Sequence, residues 1–228
     1  MKYHPILFST PMVQAIQENR KTKTRRTKGL EKINDKPYEW KFDTYFENQI
    51  FYFEYLFSKK KSEQFIKIKC PYNVGDVLWV RENFYTAENW DHLKPSLLKK
   101  YDINVYYKSD IGNENIPQLL HKGKMRPNIF LPAAYARTFL KIKSIRVERL
   151  NKISEEDAIA EGVEKIADYG STGYRLYTEP EASYTDIDAI YSFESLWQSI
   201  NGKDSWNLNP FVWVYEFEKI EKPLDFGE

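Results

Sequence analysis

A single cysteine, Cys70, excludes an intrachain disulfide and a thiolate metal cluster. No apolar run approaches the roughly 18 residues of a membrane-spanning helix. The first eight residues lack the long apolar stretch of a signal peptide, so the expected location is the cytoplasm. Histidine is scarce, and His4, His92 and His121 are scattered, with no pair at helical spacing and no acidic cluster beside them. No metal is therefore expected, and all three read as structural or surface residues. A phosphate-cradling Gly-rich loop and a Gly-x-Ser-x-Gly elbow are both missing, and no cofactor is expected. Internal repeats and low-complexity tracts are absent as well.

What is present fits an ordinary globular chain. At 228 residues it accommodates one domain with large insertions. That domain is expected over residues 1–221, with insertions at about 30–70 and 164–185 and a tail at 222–228. Aromatic residues make up 16% of the chain, which leans toward a sheet-rich fold because rings favour strands. Most such rings belong in a core, and a minority are candidates for stacking on bases. The formal net charge of +1 says nothing about partners, whereas its distribution does. Six of the nine residues 20–28 are Lys or Arg. Such a run is either a solvated face or a phosphate-binding patch on a neutral protein.

The order of elements follows from local signals. Residues 6–8 read as a strand, and Thr10 is placed to cap a helix with Pro11 at its first position. Met12, Val13, Ala15 and Ile16 supply its apolar face, and Asn19 a left-handed stop. The basic run follows as a loop or emerging strand. Residues 50–57 and 65–69 suggest a hairpin, projecting from the domain as part of 38–69. Val77, Leu78, Trp79 and Val80 form a buried strand, 104–108 another, and 136–150 strands with a turn near 143–144. Ser154 and Asp157 make a capping box for a helix that Gly162 ends. A longer helix is expected from about 185 to 200, with Ile187, Ile190, Tyr191, Leu196, Trp197 and Ile200 on one stripe. Residues 167–183 between these helices read as a loop, and 212–217 as the last strand. Strand, helix, many strands, two helices and a strand describe an α+β fold with a barrel-like sheet.

Two constellations carry chemistry. Lys21 becomes a base only if burial or neighbouring cations lower its pKa, and Arg20, Lys23, Arg25 and Arg26 are such neighbours. Thr24 is then its nucleophile, in the manner of Ser–Lys hydrolases. A solvated basic turn has the same local sequence. Glu161 stands at a helix end, where the dipole disfavours a carboxylate. It is either a working residue or a plain surface Glu.

The run Asn19-Arg20-Lys21-Thr22-Lys23-Thr24-Arg25-Arg26 resembles the signature of the ASCH domain, Gly-x-Lys-x-x-Glu-x-Arg, which follows the first helix of that PUA-like β-barrel. Lys21 and Arg26 match it, Asn19 replaces the Gly, and Thr24 stands where most members have Glu. A Thr there, within Arg-Lys-Thr-x-Thr, is similar to the bacterial ASCH amidohydrolases of N4-acetylcytidine. Gly75-Asp76-Val77-Leu78 resembles the start of a strand in such barrels. Phe8–Met12, Leu78–Glu82, Ile153–Ala158 and Asn209–Trp213 are similar to stretches of phage and prophage ASCH proteins. With the strands between them, the matching segments cover about half of the chain.

The resemblance implies a PUA-like barrel with flanking helices and an inserted hairpin. It also implies RNA or a modified nucleoside as partner, held by Arg20, Lys23, Arg25, Arg26, Lys28 and Arg81, with Trp79 or Tyr85 available for stacking. An amidohydrolase with Lys21, Thr24 and Glu161 as its catalytic set is the enzymatic alternative. Ribonuclease activity, or a phage accessory protein that binds a host protein, are further ones.

Overall fold

Apolar residues at strand spacing and well-marked helix ends account for most of the observed elements. A computed structural model describes residues 1–46, 49–58, 64–110, 121–168, 171–179 and 187–227. In chain order these are β1 (Tyr3–Leu7), α1 (Thr10–Gln17), β2 (Lys23–Arg26), α2 (Glu31–Asn34), β3 (Trp40–Phe46), β4 (Ile50–Tyr55) and β5 (Phe65–Lys69). There follow β6 (Val77–Arg81), β7 (Phe84–Tyr85), β8 (Tyr106–Tyr107), β9 (Phe139–Arg149) and α3 (Glu155–Ala160). The last are β10 (Lys165–Asp168), β11 (Ser171–Tyr174), α4 (Ala189–Asn201) and β12 (Phe211–Ile220). The fold is α+β, sheet-rich with few helices, and no ladder closes on itself among the described residues. No helix among them is long and apolar enough to cross a membrane.

The chain divides into two compact units, each discontinuous in sequence. The first comprises Met1–Asn19, Asp76–Lys141 and Glu218–Glu228. Within it β1 runs parallel to β6, and β6 antiparallel to the start of β9. The first four residues of β6 are buried, as expected of an apolar run covered on both faces. Helix α1 begins one residue earlier than read, with Ser9 rather than Thr10 at its N-cap. It ends at Asn19 in the left-handed conformation, φ +59°. Residues 222–227 are not a bare tail, because Phe226 sets its ring edge-on to Phe139 at 4.8 Å and to Tyr3 at 5.2 Å.

The second unit comprises Arg20–Gly75 and Ile142–Phe217. Here β12 lies between β9 and β2, pairing antiparallel with β2 so that Thr24 faces Tyr215. A separate sheet has the order β3-β4-β5, all antiparallel. The expected hairpin is therefore three-stranded, and it does not simply project. Phe51 and Phe53, alternate residues of β4, pack edge-on against Trp213 at 4.6 Å and Phe211 at 5.2 Å. That contact buries four rings and ties the inserted strands to β12.

Three further expectations need correction. The turn near 143–144 is absent, because β9 continues through it as one strand. Part of the loop expected at 167–183 is an antiparallel hairpin, β10 with β11. Helix α4 starts at Ala189, capped by the Asp188 carboxylate, while residues 180–186 lie outside those described. Its buried face is Ala189, Ser192, Phe193, Ser195, Leu196 and Trp197, and the expected stripe members Tyr191 and Ile200 are exposed.

Candidate functional site

The second unit brings alternate cations of the basic run against two carboxylates spaced one helical turn apart. Ser154 caps α3 by accepting a hydrogen bond from the Asp157 N–H at 3.2 Å. The helix closes at Glu161, and Gly162 follows with φ +87°, the left-handed position that favours glycine. Residues 20–22 then satisfy its terminal carbonyls. Thr22 N–H donates to Ala160 at 2.8 Å, Arg20 to the Gly162 carbonyl at 3.0 Å, and Lys21 Nζ to the Glu161 carbonyl at 2.6 Å. Cations at a helix C-terminus offset the dipole penalty that Glu161 carries there.

Lys21 Nζ also donates to Glu161 Oε2 at 2.7 Å, with both side chains almost wholly buried. Arg25 donates to the other oxygen of Glu161 at 3.0 Å, to Asp157 at 2.6 Å and to Glu148 at 2.6 Å. Lys23 reaches Asp157 at 2.5 Å, and Arg146 bonds both Asp157 and Glu148. Strand alternation explains the set. Residues 21, 23 and 25 project to one face, toward Asp157 on α3 and Glu161 at its C-cap, four residues apart.

Burial lowers the Lys21 pKa from its ordinary value, and Arg26 and Arg25 push the same way against the pull of Glu161. For Arg25, burial opposes the charge, but Glu161, Glu148 and Asp157 outweigh it and raise the pKa. Burial pushes Asp157 upward, and Lys23, Arg25 and Arg146 together hold it below the usual carboxylate range.

The opposite face of β2 differs. Thr24 is fully buried, and its hydroxyl has no hydrogen-bond partner among the described residues. It lies across from Tyr215, whose hydroxyl is 3.4 Å from Cys70 Sγ and whose ring is 5.0 Å from Tyr72. Arg26, half-buried, donates to its own strand at the Arg25 carbonyl, and burial lowers its pKa.

The structure thus joins Lys21 to Glu161 and leaves Thr24 outside hydrogen-bonding reach of Lys21. The basic run is not the solvated surface its composition suggests, because Lys21 and Arg25 are 3% and 1% exposed. Arg20, Lys23 and Arg26 are half-buried and Lys28 is exposed. Arg81 belongs to the first unit, donating to the Ile129 carbonyl at 2.8 Å with its guanidinium over Trp79. Trp79 and Tyr85 are buried there. An open groove of about 400 Å³ in that unit is lined by Gln17, Arg137, Thr138, Lys219, Ile220 and Glu221, none of them an expected site residue. No group of three or more His, Cys, Asp or Glu among the described residues is arranged to hold a metal.

Glu148, Asp157 and Arg146 were not among the expected site residues. The signal was present for Asp157, since carboxylates four apart on a helix match cations two apart on a strand. Nothing local marks Glu148 or Arg146. Comparison with known families, curated proteins and solved structures finds no match for this chain.

Proposed function

We propose that this chain is an ASCH-type protein of PUA-like descent that takes RNA or a modified nucleoside at residues 20–28. The observation that carries the reading is the buried Lys21–Glu161 contact at 2.7 Å. It fixes the signature segment against the end of α3 and leaves Arg20, Arg26 and Lys28 at or near the surface, while Lys23 is held by Asp157. A cation-bearing strand held rigidly at its first residues suits phosphate recognition, because little side-chain or backbone order remains to be lost on binding. Recognition is favoured over bond cleavage because the lysine and the threonine hydroxyl do not meet. The test is RNA binding across a salt series with wild type and with Arg20→Glu/Lys28→Glu. The variant is expected to bind more weakly with a flatter salt dependence, and unchanged binding would remove the proposal.

A second reading, an amidohydrolase of N4-acetylcytidine-type nucleosides, is favoured by two specific features. Lys21 is desolvated beside Glu161, and the Thr24 hydroxyl is buried with no partner. In that chemistry Thr24 Oγ1 attacks the acyl carbon and its proton passes to Lys21, which requires a conformation other than the one described, where the two groups lie on opposite faces of β2. Arg26 steadies the oxyanion, and Glu161 relays the proton to the departing amine. Water then releases the acyl group from Thr24. Wild type incubated with N4-acetylcytidine should yield cytidine and acetate by chromatography, and Thr24→Ala should not. An inert wild type, or an active Thr24→Ala, rejects this second reading.

A further inference from the structure

The inserted sheet has one face against β12 and one face toward solvent, and the solvent face is unusual in composition. Strand alternation and register place Lys41, Glu54 and Phe65 in one cross-strand row, with Thr44, Tyr52 and Lys67 in the next. Ile50 and Lys69 follow in a third. Lys41, Thr44, Phe65, Lys67 and Lys69 are exposed, Tyr52 is half-exposed, and Lys67 Nζ lies 5.4 Å from the Tyr52 ring centroid. Three lysines thus share the face with one carboxylate, Glu54, which accepts a hydrogen bond from Gln64. Asp43, the other acid of these strands, sits at the bulge between Phe42 and Thr44.

We infer that this face is a platform for single-stranded RNA, separate from residues 20–28. Two rings in adjacent rows, Phe65 and Tyr52, offer flat surfaces about two residues apart along the strands, roughly 7 Å by strand rise. Bases stack on such rings without regard to sequence, and lysines beside them neutralise the connecting phosphates. A buried structural sheet needs neither feature, because Phe51 and Phe53 on the reverse face already supply its packing. Duplex RNA does not fit, since its bases are stacked internally and closed to the rings. The inference shares the RNA partner with the proposed function but rests on different residues.

The experiment measures fluorescence anisotropy of a labelled short oligouridine against wild type, Tyr52→Ala, Tyr52→Phe and Lys67→Glu/Lys69→Glu. Circular dichroism and thermal melting check that each variant is folded. Tyr52→Ala should weaken binding about tenfold or more, while Tyr52→Phe, which keeps the ring, should stay near wild type. The double lysine reversal should lower the slope of log K against log salt by about 1.4, at about 0.7 per lost contact. Unchanged binding in Tyr52→Ala and the double reversal, or equal affinity for a duplex of the same length, overturns the platform. If Arg20→Glu/Lys28→Glu alone loses binding, the platform fails and the proposed function stands. If only the sheet variants lose it, the reverse holds.

Discussion

Two basic regions of the second unit show opposite uses of the same residue types. On β2, Lys21, Lys23 and Arg25 turn inward and meet Glu161, Asp157 and Glu148, so their charge is consumed in holding the strand to α3 and β9. On the inserted sheet, Lys41, Lys67 and Lys69 face solvent. The inward-facing cations of the dense run are thus structural, and a sparse set spread over two strands, β3 and β5, is open. Charge density in sequence is a poor guide to exposure when carboxylates elsewhere in the chain have a matching period.

The comparison is broken most directly at Glu161. Replacing it by Ala leaves Lys21 and Arg25 buried with fewer counter-charges, and the unfolding free energy should fall by about 3–5 kcal/mol. Chemical denaturation measures this, and a loss below about 1 kcal/mol would mean that the cluster is solvated. A smaller effect is expected from acid. The Asp157 pKa is lower in the folded protein than in the unfolded chain. Its stabilising contribution is therefore complete above the unfolded value, about 4, and is lost as pH falls through the folded value. Asp157→Asn should be less stable than wild type at neutral pH and should lose less further stability on acidification. Parallel acid limbs for the two proteins would contradict this.

Thr24→Val sharpens the comparison from the other face of β2. It removes a buried hydroxyl without a partner and keeps the shape, so stability should hold or rise by about 1 kcal/mol. A fall of that size would show that the hydroxyl is satisfied in solution. The smallest effect belongs to the open region. Lys67→Ala and Lys69→Ala should each change unfolding free energy by less than about 0.5 kcal/mol, as exposed substitutions do.

Much of the fold was legible because its signals are local. The Ser154 cap, the Gly162 stop, Asn19 in its left-handed conformation and the buried run of β6 each depend on a few neighbouring residues. Failures arose where distant packing decides. Lys143 and Ser144 read as a turn, yet β9 passes straight through them, with Ser144 donating to Glu216 of β12 at 3.0 Å. β3 was not anticipated because its pairing with β4 carries a bulge that breaks the alternation. Within the site, Lys21 and Glu161 were expected together and are together. The burial of Arg25 is not legible in the basic run itself, because its partners Glu148, Asp157 and Glu161 come from two separate elements. Thr24 was set beside Lys21 by sequence proximity, although three residues along an extended chain point to opposite faces.

The central claim is that residues 20–28 hold a nucleic-acid ligand. Equilibrium binding of single-stranded RNA, measured at several salt concentrations for wild type and for Arg20→Glu/Lys28→Glu, tests it most directly. Neither change touches the buried Lys21–Glu161–Arg25 contacts, and Arg20→Glu gives up one half-buried bond to the Gly162 carbonyl, so circular dichroism is used to verify that the fold survives. The account predicts weaker binding with a slope against log salt reduced by about 1.4, the share of two phosphate contacts. Equal affinity and equal slope in the two proteins would contradict it.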